Sequence, residues 1–247
     1  MHITFFSASF LTLLSWGDSG FGDELVLGAC STLLIATCAY VLGLCLGLAG
    51  ALARISQSTI LQLVGWLYAV LFRSIPELVL ILLLFYAGGD LLNSILKLLG
   101  LSPKPFNGAG AAIVVLGLVQ GAYAAEILRG AILAVPKGYR EAALSLGFSP
   151  IQSFRHIILP SMLPLALPGL ANLWLSLTKA TALVSVVGYT ELTLATQQAA
   201  GFSKHYFLLY AVSLAIYLWI SLMSGRLFLR LENRLRHGQA APAMGAR

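Results

Sequence analysis

Three observations predict an all-α membrane protein with five transmembrane helices. They are a composition dominated by apolar residues, five hydrophobic runs of spanning length, and a one-sided distribution of basic residues. Apolar residues fill 59% of the 247 positions and charged residues only 10%, against about 45–50% and about 25% in a soluble domain. So little charge cannot keep a folded chain of this size in water, and lipid is the solvent that fits.

Taken in order, residues 1–24 form an N-terminal segment outside the membrane. Phe5, Phe6, Phe10, Leu11, Leu13, Leu14 and Trp16 make its first part greasy, but no Lys or Arg precedes them as in a cleaved signal. The run is shorter than the about 20 residues a span needs, so it is expected to lie in the interface. Spans are predicted at 25–53, 60–87, 109–133, 160–187 and 205–229. Each must be helical, because an unpaired backbone group in hydrocarbon is too costly and no ten-residue strand alternation is present. Segment 88–108 carries a short apolar helix candidate at 91–99, then the helix breakers Pro103 and Pro105. Segment 188–204 reads as a surface helix from Thr190 that stops at Gly201. The tail 236–247, rich in Ala, Gly and Pro, is expected to be disordered. Residues 25–235 are a single membrane domain.

Basic residues set the orientation. One face collects Arg54, Lys137, Arg140, Arg155, Arg226, Arg230, Arg234, Arg236 and Arg247. The other has only Lys97, Lys104 and Lys204, beside Asp18, Asp23, Glu24, Asp90 and Glu191. Nine against three places the first face in the cytoplasm, so the N-terminus is periplasmic and the C-terminus cytoplasmic. The net charge of +6 is thereby assigned to a membrane surface and not to nucleic acid.

Within the first span, Gly43, Gly47 and Gly50 let another helix approach closely, either inside the chain or from a second subunit. Cys30, Cys38 and Cys45 lack the spacing of a metal or redox site and are expected to be small packing residues. No metal site is predicted.

The connection between spans three and four is patterned. Pro136, Lys137 and Gly138 break the third helix, and Tyr139, Ala142, Ala143 and Leu146 then recur at helical spacing. Gly147 supplies a helix stop. Ser149, Pro150 and Gln152 make a capping box with proline at the first helical position, and Phe154, Arg155 and Ile158 follow before Pro160. Two short helices bent around a glycine on the cytosolic face are expected, with both apolar and basic residues on show.

Five ionisable residues fall inside the spans: Arg73, Glu77, Glu126, Arg129 and Lys179. Each charge at the bilayer centre costs about 2.5–3.5 kcal/mol, so each faces a cavity or a partner. Two readings stand. Arg73 with Glu77, and Glu126 with Arg129, can neutralise each other on one helix face. Alternatively, Arg73, Glu77, Glu126 and Lys179, with Gln120 and Tyr123, line a polar path in which carboxylates take cationic groups and the cations take a carboxylate. Pro160, Pro164 and Pro168 share one face of span four, as fixed curvature or as a hinge.

Glu141-Ala142-Ala143, Gly147 and the run Ile157-Ile158-Leu159-Pro160 resemble, in identity and spacing, the EAA loop of ABC-importer permeases. The resemblance covers about 25–235. Phe72 to Leu78, Gly121 to Glu126, Arg129 to Ala131 and Val135 to Gly138 are similar to permeases of polar amino acids. Lys179 to Ser185 is close to those of histidine/lysine/arginine/ornithine and octopine importers. The resemblance implies an ABC type I importer permease (MetI-like) architecture in the bacterial inner membrane. It implies a heterodimer or homodimer with a second permease subunit, two ATP-binding subunits and a periplasmic substrate-binding protein. The substrate would be a polar, basic amino acid or an opine. Glu141, Ala142, Ala143 and Gly147, flanked by Arg140 and Arg155, would couple to the ATPase. ATP-Mg would be held there, with no cofactor on this chain.

Catalysis by the chain itself has no support: GxxxxGK, HExxH and GxSxG are all missing from the sequence. An ion-coupled secondary amino acid transporter is the competing reading, although such carriers are commonly built from internal repeats, and none is evident here. A membrane scaffold is a third, but it requires neither charges in the spans nor a patterned loop.

Overall fold

A computed structural model describes residues 12–17, 20–102 and 108–236, and among these every regular element is helical. Of the tail 236–247 expected to be disordered, Arg236 is the last residue of a helix, and 237–247, like the helix breakers Pro103 and Pro105, lie outside the described residues. So does the greasy run up to Leu11. Residues 12–17 fold back on the next helix, with Phe21 N–H donating to Leu13 O and Leu14 packed beside Leu25 and Leu192.

The first helix, α1, is Gly22–Ile55, with Asp23 and Glu24 in its first turn and Arg54 in its last, both favourable to the helix dipole. Next come α2 (Thr59–Ser74), α3 (Glu77–Leu98) and α4 (Gly108–Ala134). The loop helices α5 (Lys137–Ser145) and α6 (Pro150–Ser153) lead through a π-turn, Phe154–Ile158, into α7 (Leu159–Ala180). A 3₁₀ stretch, Thr181–Val187, follows, then α8 (Leu192–Ser203) and α9 (Tyr206–Arg236). Among the described residues, four continuous helices are long and apolar enough to span: α1, α4, Pro150–Val187 and α9. The α2–α3 pair makes a fifth only as one broken span.

Here the fold departs from expectation. The run 60–87 is not one helix, because α2 and the first part of α3 meet at 101°. Proline at 76 is the cause. It disfavours helical angles at the preceding residue, and Ile75 adopts φ −97°, ψ 133°. The separate helix expected at 91–99 is simply the end of α3.

Helix α4 is central: 67% of its most apolar stretch is buried, against 33% for α1 and 17% for α9. Glycines set how close α1 lies to it. A Cβ on Gly47 would stand 2.6 Å from that of Ala124, and one on Gly43 would meet Gly121 at 3.2 Å. The Gly43, Gly47 and Gly50 row is therefore internal packing within this chain, and α1 and α4 run parallel. Ile35, Ala36, Ala39, Val115, Leu116 and Leu177 fill the seam. The cysteines do not pack there. Cys30, Cys38 and Cys45 are all exposed on the other side of α1, contrary to the sequence expectation.

Segment 188–204 also differs. Its helix begins after Glu191 and continues through Gly201 to Ser203, and the left-handed stop is Lys204, φ 61°. It is no surface helix: Leu192, Ala195, Thr196, Ala199 and Ala200 are buried. Glu191, expected in solvent, is 0% exposed. One carboxylate oxygen accepts from Tyr217 Oη at 3.0 Å and Thr32 Oγ1 at 3.3 Å, and the other caps α8 through Leu194 N–H at 2.9 Å. Thr32 Oγ1 in turn accepts from Leu192 N–H. One side chain thus ties α1, α8 and α9 together. Replacing Glu191 by Ala leaves the buried Thr32 hydroxyl and the Leu194 amide without their acceptor and Tyr217 with Thr193 alone, and is expected to cost about 3 kcal/mol. Gln, which keeps an acceptor, should cost clearly less. Thermal unfolding of the detergent-purified complex checks this order.

Candidate functional site

Two regions carry the candidate residues. The first surrounds Glu126, where α4 meets the ends of α1 and α2. Arg54 Nη1 donates to Glu126 Oε1, and Arg73 Nη1 lies 3.2 Å from the same oxygen. Arg129 reaches Oε2 at 3.4 Å through both Nε and Nη2. The Arg73 guanidinium also sits 5.3 Å from the centre of the Tyr123 ring, within cation–π range. These side chains are partly exposed, from 15% for Arg54 to 42% for Arg73.

Of the two pairs expected from spacing, Glu126–Arg129 forms and Arg73–Glu77 does not. The break at Pro76 puts Arg73 at the end of α2 and Glu77 in the first turn of α3. Arg73 turns instead to Glu126. Arg54, which the sequence marked only as a boundary charge, is the missed member. Its one sequence signal is its place at a span end, from which a long side chain reaches back along its helix. Three guanidinium groups thus share one carboxylate, leaving two formal positive charges. Such a cluster has little to offer an incoming cation and unused N–H donors for an anion.

The remaining path candidates are scattered. Gln120 is 3% exposed, and its Oε1 is buried with no hydrogen-bond partner. Lys179 is exposed on α7, away from any ion pair shown among the described residues.

The second region is the loop 137–158. Helix α5 ends in a Schellman turn: Phe148 N–H donates to Ala143 O, Gly147 N–H to Leu144 O, and Gly147 takes φ 77°. Ser149 and Gln152 form the reciprocal capping box, with Pro150 at the first position. Both expected short helices are present, bent at the expected glycine. The apolar stripe on α5 is not buried within the chain, however. Ala143 alone turns inward, at 0% exposure, while Tyr139, Leu144, Leu146 and Ile151 stand 52–79% exposed beside exposed Arg140, Glu141 and Arg155. Four large apolar side chains held outward on capped helices form a surface shaped to be covered.

Residues 41–237 match the family described as the binding-protein-dependent transport system inner membrane component, and the chain belongs to that family.

Its relatives narrow the group. It is 40% identical to the nopaline transport system permease protein NocQ of Agrobacterium fabrum, over 92% of this chain and 98% of that one. It is also 40% identical to the histidine/lysine/arginine/ornithine transport system permease protein HisQ of Salmonella typhimurium, over 89% and 96%. Among solved structures, an amino acid ABC transporter with histidines superposes with a TM-score of 0.72 at 31% identity, covering 87% of this chain and 95% of that one. The MetNI methionine ABC transporter in an inward-facing form shares the fold, with a TM-score of 0.70 at 22% identity over 86% and 96%. These relatives are ABC permeases, not secondary carriers.

Proposed function

We propose that this chain forms half of the translocation path of an ATP-driven importer for basic amino acids or related opines. A second permease subunit, a paralogue or a copy, would supply the other half. Two ATP-binding subunits would hold ATP-Mg, and a periplasmic binding protein would deliver substrate. In this reading the loop 137–158 faces the cytoplasm and fits the ATP-binding subunit through Glu141, Ala142, Ala143 and Gly147, with Arg140 and Arg155 at its flanks.

The observation that carries the reading is the outward stripe of Tyr139, Leu144, Leu146 and Ile151 on two rigidly capped helices. Charge on the path supports the substrate class. Amino acids and opines bring carboxylates, which suit the Arg73 guanidinium beside Tyr123, while Glu77 offers an acceptor for a cationic group. Reconstitution in proteoliposomes tests it. Uptake of arginine or nopaline should require added ATP-binding subunits and ATP. Uptake driven by an ion gradient alone would overturn the proposal.

A further inference from the structure

Around Glu126, two of the three arginines open onto a second feature. Arg54 and Arg129 line a groove of about 390 Å³, together with Thr59, Gln62, Leu63 and Trp66. Arg73 is not among its walls, so the groove receives the positive excess of the other two. We propose that this groove binds the phosphodiester headgroup of an anionic phospholipid, in the leaflet on the side of loop 137–158.

Four observations support the assignment. The groove holds two guanidinium groups whose only carboxylate is already shared with a third, and a phosphate takes several of their free donors at once. It lies at the start of α2, where Ser58 makes no side-chain cap, so first-turn N–H groups add to the positive end of that helix. It lies at headgroup depth. Helices α1 and α4 run parallel, Arg54 is in the last turn of α1, and Trp66 and Leu63 are only two turns into α2. Tryptophan is enriched at that level. Finally, the wall continues into hydrocarbon. Leu63, Trp66, Leu67 and Val70 are 41–53% exposed along α2, and only Gly65 and Ala69 on that helix are buried. A polar cradle running into an exposed apolar face matches a lipid, with its phosphate on the arginines and its chains along α2. A free anion would use only the first half.

Native mass spectrometry of the assembled transporter, exchanged into phosphatidylglycerol or phosphatidylcholine, tests this. Phosphatidylglycerol should be retained and phosphatidylcholine lost. Arg129→Gln should reduce retention about fivefold, the equivalent of one arginine's attraction to an anionic surface. Because Arg129 also touches Glu126, the pair Gln62→Ala with Trp66→Ala serves as a second variant outside that cluster, and it too should lower retention. Equal retention of both lipids, no loss in either variant, or displacement by millimolar inorganic phosphate would overturn the proposal. So would cross-linking from position 63 or 66 to a second permease subunit, which would place protein in the groove.

Discussion

Replacing Glu126 by Gln is expected to destabilise the assembled transporter more than removal of any one of its arginine partners. The carboxylate is the shared centre of the cluster: without it three guanidinium groups face one another at 15–42% exposure, with no counter-charge. Breaking a fully buried pair costs about 3–5 kcal/mol, and partial exposure here brings the expected loss to about 2–3 kcal/mol. Arg73→Gln, by contrast, leaves Glu126 held by Arg54 and Arg129 and should be nearly neutral. Uptake by the Glu126 variant should fall for all substrates together, since the residue holds helices in register. Thermal unfolding and uptake of a neutral, a cationic and a dicarboxylic substrate measure both effects. An equal cost for Arg73→Gln, or a loss confined to cationic substrates, would show that Glu126 acts on the substrate itself.

A valine at position 147 should separate folding from coupling. Gly147 takes φ 77°, a region that costs other residues about 1–2 kcal/mol and is poorest for β-branched ones. No atom lies within 4 Å of where its Cβ would sit, so the chain itself has room. Gly147→Val should therefore cost about 1–2 kcal/mol of local backbone strain, bending α5 away from α6 and misplacing the surface around Leu146 and Ile151 without clashing with the rest of the chain. In proteoliposomes uptake should drop at least about tenfold, which needs only about 1.4 kcal/mol of lost coupling. The ATPase should stop responding to the substrate-loaded binding protein. Unchanged uptake with normal stimulation would mean that this turn lies away from the motor subunit.

Local rules made part of the architecture legible. The capping box of Ser149 and Gln152, the stop at Gly147 and the small-residue row in α1 act within a few residues or across one helix face, and each is present. Hydropathy alone misled at 60–87. An apolar run reads the same whether or not the helix bends, and only Pro76 held the information. The partners of Glu126 were legible in part. Arg129 lies on the same helix, but Arg54 and Arg73 arrive from two others, and no periodicity encodes that convergence. Glu191 was misplaced for a related reason. An acid beside a connecting segment is normally solvated, whereas here hydroxyls from α1 and α9 replace the water. The three cysteines show that small residues on a helix do not announce which side is packed.

The π-turn after α6 has a mechanical consequence. Residues Pro150–Val187 form one uninterrupted helical rod of 38 residues, with Pro164 and Pro168 inside it and no break at either. At 1.5 Å per residue the rod is about 57 Å long. A tilt of about 10° imposed at its loop end would swing the far end by about 10 Å, if the rod moves as a lever arm. On the proposed coupling through loop 137–158, a tilt at that end would be carried to the far end of the same continuous helix.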